Sequence, residues 1–193
     1  MIRKTLLATV TAFSLACLGS ASVIDYLETL DDFSAEFTQA TVASDGLTQS
    51  GSGELFVSRA VQATAWEYSQ PERQKYLIRN NQLWLYLYEE RELTIGTLED
   101  GHGLDFAQLS RASLANQYTI IEETDTRLRL ETLREPKMNI TIELRDGKLH
   151  QVQIESATKE VTTLEFQQVL TNQILGESLF DPVIPVGWEV IRQ

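Results

Sequence analysis

Apolar and polar residues alternate with period two along most of the chain, a pattern typical of β-strands with one buried face. The segments that show it are SAEFTQATV, GSGELFVSR, KYLIR, QLWLYLY, MNITIEL, LHQVQIE and VTTLEFQQV. Between several of them lie SDGLTQSGSG, Asn80-Asn81 and RDGK, which are typical of turns between antiparallel strands. The tail FDPVIPVGWEVI ends in one more short strand. The alternation predicts a mainly β (α+β) fold built on an antiparallel sheet.

Two stretches depart from this alternation. SVIDYLETLDDF places Ile24, Leu27, Leu30 and Phe33 three residues apart with acidic residues between them, which predicts an amphipathic helix over residues 22–33. Between residues 97 and 117, EDGHG predicts a loop and LDFAQLSRASLANQ predicts short helical pieces. These two stretches are the segments available to cover the sheet.

The strand QLWLYLY is apolar on both faces. Leu83 and Leu85 point to one face, whereas Trp84, Tyr86 and Tyr88 point to the other. Antiparallel sheets usually have one polar face, so a second cover is required here. That cover is either a permanent layer, formed by the helix and the block around Leu104, Phe106 and Leu109, or an exchangeable ligand. We favour Leu83 and Leu85 on the exchangeable face and the Trp84 face in permanent packing.

The beginning of the chain has the features of a secretory signal peptide. Arg3 and Lys4 precede an uncharged stretch and the small residues GSAS, which predicts a signal over residues 1–22 with cleavage after Ala21 or Ser22. The remaining residues, 23–193, form one domain. Cleavage removes Cys17, the only cysteine, so no disulfide is expected. The alternative is lipidation at Cys17, although SLAC places Ser14 where lipoprotein signals usually carry leucine.

Composition and charge narrow the choice of partners. The chain has 193 residues, 42% hydrophobic and 23% charged, which is typical of one globular domain. Its net charge is −12, and loss of Arg3 and Lys4 makes it two units more negative. A chain this acidic is expected to avoid nucleic acids and anionic membrane surfaces.

Candidate catalytic residues are scarce. His102 lies in DGHGLD near Asp100 and Asp105, but the spacing matches no metal motif, and a solvated loop is the simpler interpretation. His150 shares a strand face with Val152 and Ile154, which is typical of a packed histidine. The sequence contains no serine elbow and no phosphate-binding loop. We therefore expect no enzymatic activity, no metal ion and no cofactor.

Arg59 interrupts an apolar strand face. Period two in GELFVSRAVQATAW places Arg59 on the face of Leu55 and Val57. If the strand continues, Val61, Ala63 and Ala65 follow on that face. A buried guanidinium must satisfy five N–H donors, and the backbone carbonyls of a covering loop would accept them. The alternative is that Arg59 ends the strand and reaches water.

Several motifs occur in a fixed order along the chain. They are SAEFTQ, GSGELFVSR followed by a tryptophan and then QP, LWLY, RDGKLHQVQIE, and FDPVIPVGWEVI. In order and spacing they resemble the LolA family of periplasmic lipoprotein carriers over nearly the whole mature chain. The resemblance implies an incomplete antiparallel β-barrel closed by a helical lid around a hydrophobic cavity. It implies that the cavity holds the acyl chains of lipoproteins on their way from the inner to the outer membrane.

The resemblance also implies site residues and partners. Arg59 would latch the lid through hydrogen bonds to loop carbonyls. The expected partners are acylated lipoproteins as cargo, the inner-membrane transporter LolCDE and the outer-membrane receptor LolB, with the chain itself a monomer in the periplasm. The residues expected to bind the acyl chains are Leu27, Leu30, Phe33, Leu55, Val57, Leu83, Leu85 and Phe106.

The chain departs from the family pattern beside the latch. The family arginine is usually followed by proline, with a tryptophan six residues after it, whereas here Ala60 follows Arg59 and Trp66 is seven residues away. The extra residue predicts a β-bulge near Arg59. Two other functions remain open from the sequence: a membrane-anchored receptor of the same fold, lipidated at Cys17, and a structural module or binder of another hydrophobic ligand.

Overall fold

Twelve strands form a single sheet in the computed structural model, which describes residues 21–97 and 105–193. They are β1 (Asp32–Val42), β2 (Thr48–Ser58), β3 (Ala63–Gln70), β4 (Gln74–Arg79), β5 (Gln82–Leu87), β6 (Glu92–Thr97), β7 (Tyr118–Glu123), β8 (Arg127–Thr132), β9 (Asn139–Arg145), β10 (Lys148–Glu155), β11 (Val161–Thr171) and β12 (Glu189–Arg192). The described helices are α1 (Val23–Thr29), α2 (Arg111–Gln117) and two 3₁₀-helices, η1 (Phe106–Gln108) and η2 (Glu177–Phe180). Most of the predicted signal peptide, including Cys17, lies outside the described residues, as do the predicted loop with His102 and the first residue of the predicted helical stretch, Leu104.

The tight turns follow from residues that tolerate positive φ. Asn80 and Asn81 have φ of 52° and 63°, the combination that a two-residue hairpin needs to match the strand twist. Asp146 and Gly147 form the turn between β9 and β10 in the same way, with φ of 52° and 71°. The hairpins predicted at NN and RDGK are therefore confirmed.

The strand order is β12-β6-β5-β4-β3-β2-β1-β11-β10-β9-β8-β7. Eleven of these strands pair antiparallel, as predicted, but β12 runs parallel to β6. The prediction of a wholly antiparallel sheet is wrong at this strand. The chain enters β12 from a long segment that crosses β3 to β5, so no tight hairpin dictates its direction. With β12 at one edge and β7 at the other, the sheet is open.

Helix α1 is shorter than the three-residue spacing predicts. It begins at the N-cap Ser22, whose side chain forms a capping box with Asp25, and ends at Thr29. Leu30 already has extended backbone angles, φ −80° and ψ 112°. The prediction that Phe33 lies on this helix is wrong, because Phe33 belongs to β1 and lies opposite Val57 of β2. Period-two burial begins at that residue and overrides the helical spacing.

Cross-strand register determines which side chains share a face. Leu55, Trp66, Tyr76 and Leu85 lie opposite one another across β2 to β5, so they point to the same side of the sheet. Val57, Thr64, Ile78 and Leu83 form the next row on that side. We call this the inner face, because α1 and η1 pack on it. Trp84, Tyr86 and Tyr88 occupy the opposite, outer face.

The outer face of β3 to β6 is covered by the C-terminal segment (residues 173–188). Phe180 is 1% exposed and lies in one cluster with Tyr86 and Leu93. The ring of Trp188 packs edge-on against Tyr88, with centroids 5.4 Å apart, and the Tyr86 hydroxyl accepts a hydrogen bond from the amide of Val183 at 3.1 Å. We call this the outer cluster; its buried members are Ala63, Ala65, Leu77, Tyr86, Leu93 and Phe180.

We predict that Phe180→Ala lowers the free energy of unfolding by about 3–5 kcal/mol, because it empties a fully buried aromatic site. Urea denaturation measures this quantity directly. The matched control is Ile174→Ala in the same segment, where the side chain is 102% exposed and a change within about 0.5 kcal/mol is expected. Equal effects of the two substitutions would contradict the packing described for this segment.

Candidate hydrophobic binding site

The most extensive apolar cluster of the described chain lies between the inner face and the helices. It draws residues from α1, β1, β2 and η1, and also from β7 to β11. Six residues predicted to bind acyl chains meet there, and none is more than 3% exposed. They are Leu27, Leu30, Phe33, Leu55, Val57 and Phe106. We call this set of buried residues the inner cluster, and the helices that lie over it, α1, η1 and α2, the cover.

Aromatic rings fill the centre of the inner cluster. Phe106 of η1 lies 5.8 Å from Phe33, 6.1 Å from Phe166 and 6.1 Å from Trp66, measured between ring centroids. Phe37 packs edge-on against Trp66 at 5.1 Å. Such edge-to-face contacts stabilise the cluster beyond what the burial of the rings contributes. The space under the cover is thus occupied by the chain's own side chains.

Leu83 and Leu85 lie on the inner face but outside the inner cluster. Both are half-buried, in the rows that begin at Val57 and Leu55. The structure therefore brings six of the eight predicted residues into one cluster and leaves these two beside it. They extend the apolar surface toward β6.

Sequence reasoning missed other members of the inner cluster. Phe37 shares the β1 face of Phe33, so extending the period-two count along SAEFTQ would have found it. Phe166 lies opposite Phe37 on β11, a pairing between residues far apart in the sequence. Leu114 of α2 was also missed and is buried there, beside Leu109, which the sequence analysis placed in the covering block. The pairing of β1 with β11 joins residues far apart in the sequence, so no pattern within either strand predicts it.

Arg59 joins the sheet to the cover. Its Nη2 atom donates hydrogen bonds to the carbonyl of Leu27 in α1 at 2.6 Å and to the carbonyl of Leu109, between η1 and α2, at 2.5 Å. The Arg59 amide donates to the carbonyl of Asp31 at 3.0 Å. The Arg59 side chain thus contacts both α1 and the segment between η1 and α2.

The surroundings of Arg59 differ from the continuous strand that period two allows. β2 ends at Ser58, and residues 59–62 form a turn in which Gln62 has φ 49°. Ala63 and Ala65 belong to β3 and to the outer cluster. The prediction of a bulge near Arg59 is wrong, because this turn accommodates the extra residue. The irregularity between β2 and β3 lies instead beside Ser52 and Gly53.

Burial lowers the pKa of the Arg59 guanidinium, and the nearby carboxylates of Asp31 and Glu28 oppose this effect. Arginine keeps its charge at any physiological pH. The Arg59 guanidinium is therefore a partly desolvated cation whose hydrogen bonds to carbonyls are charge-assisted.

A second tether holds η1 to the inner face. Asp105 accepts hydrogen bonds on Oδ1 from the hydroxyl of Thr64 at 2.8 Å and from the amide of Ala107 at 3.0 Å. Its Oδ2 atom is buried, with no hydrogen-bond partner among the described residues. Burial raises the pKa of the Asp105 carboxyl, although these two hydrogen bonds and the nearby side chain of Gln108 act in the opposite direction.

The described residues offer little for other chemistry. Within residues 21–97 and 105–193, no group of three or more His, Cys, Asp or Glu side chains could hold a metal ion. His150 sits at a bulge between Leu149 and Gln151, so Leu149 takes the buried face with Val152 and the predicted alternation is wrong there.

A groove of about 510 Å³ among β1 to β4 has Glu36, Glu54, Glu67 and Lys75 in its lining, which does not suit an acyl chain. In the same described ranges, no helix has the length and apolar character needed to cross a membrane.

Comparison with known proteins identifies the family. A family model described as "Outer membrane lipoprotein carrier protein LolA" matches residues 28–183, which include Arg59, η1 and α2. The chain belongs to the LolA family. The outer-membrane lipoprotein carrier protein of Neisseria meningitidis serogroup B is 27% identical over 169 residues, which cover 83% of this chain and 81% of the relative. That of Halorhodospira halophila is 25% identical over 193 residues, which cover 95% and 90%.

Solved structures share the fold. A LolA superfamily protein from Nitrosomonas europaea superposes with a TM-score of 0.50 at 12% identity, covering 82% of this chain and 96% of that chain. An uncharacterized conserved protein from Thermus thermophilus gives a TM-score of 0.54 at 14% identity, covering 88% and 96%. The family resemblance inferred from the motifs is thus confirmed, and the open, mainly β sheet agrees with the fold of LolA-superfamily neighbours.

We predict that Asp105→Asn gains stability relative to the wild type as pH rises. Because the folded-state pKa of Asp105 lies above its ordinary value of 3.8, ionisation of this carboxyl costs the wild type stability between that value and the raised one. The asparagine variant escapes this cost. Chemical denaturation of both proteins between about pH 3 and pH 7 should show the difference increasing with pH and then levelling off. A difference that stays constant or falls would contradict the burial of this carboxylate.

Proposed function

We propose that this LolA-family chain is a periplasmic carrier that binds the acyl chains of lipoproteins under the cover and delivers them to a receptor in the outer membrane. The observation that supports it most is the inner cluster, an apolar interior roofed by two seven-residue helices and a 3₁₀ turn. Arg59 ties these short elements to the sheet through two hydrogen bonds. The cover acts as the lid in this proposal.

The size of the hydrophobic effect explains why a carrier is needed. One chain of about 16 carbons costs roughly 12 kcal/mol to hold in water, at about 0.8 kcal/mol per methylene. Spontaneous transfer of an acylated protein between two membranes is therefore very slow. A protein that shields the chains removes this barrier.

A carrier must also release its acyl chain, and an interior filled by the protein's own side chains makes release possible. When the cover opens, the aromatic and aliphatic side chains of the inner cluster are exposed, and an acyl chain takes the place of Leu27 and Phe106 against the sheet. Binding is then an exchange of one apolar partner for another, so the net affinity is the difference between two large terms. Leu83 and Leu85 provide adjoining apolar surface for the remainder of the chain.

The sequence contains no nucleotide-binding loop, so energy for loading must come from a partner. In keeping with the family, that partner is the inner-membrane transporter LolCDE, and the receiver is LolB. The chain acts as a monomer in the periplasm after loss of the signal peptide. Cleavage after Ala21 fits the structure better than cleavage after Ser22, because Ser22 caps α1 through its hydroxyl and through its own amide, which donates to Asp25 at 2.9 Å.

The proposal is tested by purifying the protein from periplasm with a lipoprotein overexpressed in the same cells. We expect an acylated protein to co-purify and to pass to LolB when the two are mixed. Intact mass spectrometry of the purified chain should show Ser22 as its first residue. A diacylated Cys17 would instead indicate the membrane-anchored receptor, and the absence of any acylated partner would indicate another ligand or a structural role.

We predict that Arg59→Leu keeps the fold but slows handover of cargo to LolB by roughly tenfold. Loss of the latch destabilises the closed cover by about 1–2 kcal/mol, and the closed cover is what competes with the bound acyl chain. The rate of transfer of a purified carrier–lipoprotein complex measures this effect.

The control for this variant is Arg79→Leu. Arg79 also donates to a backbone carbonyl, that of Phe180 at 3.1 Å, but it ties down the C-terminal segment rather than the cover. We expect this control to lose stability without slowing handover. If Arg59→Leu takes up and hands over cargo at wild-type rates, the latch role is wrong.

A further inference from the structure

A second set of polar contacts joins α1 to α2 on the solvent side of the cover. Both terminal nitrogens of Arg111 donate to Glu123 of β7, at 3.0 and 2.7 Å, and Nη2 also lies 3.4 Å from Oδ1 of Asp25. Arg111 is the first residue of α2, and Asp25 belongs to the first turn of α1. Asp25, Arg111 and Glu123 therefore form an outer clasp across three elements.

Glu28 adds a different kind of contact to this clasp. Its Oε1 atom accepts a hydrogen bond from the backbone amide of Arg111 at 2.7 Å. The first amides of a helix have no partner within the helix, so a carboxylate supplied by α1 satisfies one of them in α2. The start of α2 thus depends on the position of α1.

Glu28 also acts on the inner latch. Its negative charge is one of the two that offset the burial of the Arg59 guanidinium. Arg59 in turn holds the carbonyl of Leu27, the residue just before Glu28. A single residue in the last turn of α1 is therefore in polar contact with α2 and electrostatically linked to the latch.

We propose that Glu28 is a positioning residue that makes α1 and α2 open and close as one unit. If α1 moves away from the sheet, Arg59 loses the Leu27 carbonyl and the field of Glu28, and the Arg111 amide loses its acceptor. Loss of either contact therefore weakens the attachment of the other helix. The inference rests on the proposed function in that the cover is taken to be a lid, but it concerns motions of the free protein.

Amide hydrogen exchange on the cargo-free protein tests the coupling. The reporters are the amides of Tyr26 in α1 and Leu114 in α2, which bond to the carbonyls of Ser22 and Ser110 at 2.9 Å each. In Glu28→Gln we expect both amides to exchange roughly three- to tenfold faster, by the same factor, with the amide of Val152 in β10 unchanged. Glu28→Ala should give the same pattern with a larger factor.

The matched control is Asp181→Asn. Asp181 accepts a hydrogen bond from Arg79 at 2.9 Å, in an ion pair that joins the C-terminal segment to β4 and involves no residue of the cover. This variant should leave the exchange of Tyr26 and Leu114 at wild-type rates. Raising the salt concentration from about 50 to about 500 mM should speed both reporters in the wild type and have less effect in Glu28→Gln, where the charge is already gone.

Three results would overturn the coupling: acceleration of one reporter without the other, acceleration of neither, or an equal acceleration that includes Val152. The first would make Glu28 a local cap, and the last would make it a contributor to global stability. These results are independent of cargo. Absence of a co-purifying acylated protein would defeat the carrier proposal while leaving the exchange data intact.

Discussion

A sheet that is apolar on both faces has to be covered twice, and the other features of this structure follow from that constraint. On the outer face, the C-terminal segment packs Phe180 and Trp188 against Tyr86 and Tyr88. On the inner face, the cover is made of two short helices and a 3₁₀ turn, each of which begins at a capping side chain. Both covers continue into strands of the sheet: the C-terminal segment leads into β12, α1 into β1 and α2 into β7. The inner cover is held in addition by the guanidinium of Arg59, which bonds to carbonyls in two separate parts of it.

We propose that exchange takes place at the inner face, where Arg59 links two parts of the cover. Buried apolar area provides most of the stability on both sides, but it is non-directional and an acyl chain can replace it. Hydrogen bonds from Arg59 contribute far less free energy, yet they specify one arrangement of α1 and η1 and would be lost together if the cover moved. The proposed carrier role requires a closed and an open state of the cover that differ little in free energy.

Much of the fold could be predicted from period two and turn chemistry, because local sequence fixes both. The Asn80-Asn81 hairpin and the inward face of β9 follow from a few residues each. The spacing of Phe33 from Leu30 fits a helix, and only pairing with β2 and β11 shows that Phe33 belongs to a strand. The parallel partner of β12 and the contact of Phe106 with Phe166 also depend on residues far apart in sequence. Alternation alone favours no particular face for Leu83, whereas the register from β2 to β5 determines it.

The most direct test of exchange at the inner face is an NMR measurement of contacts between an isotope-labelled acyl chain and the protein's methyl groups. The probe is a synthetic acylated lipopeptide bound to the mature protein. Cross-peaks from its chain methylenes to Leu27, Leu55 and Val57, with none to Leu77 and Leu93 of the outer cluster, are the predicted result. Cross-peaks confined to Leu77 and Leu93, or to neither group, would contradict it.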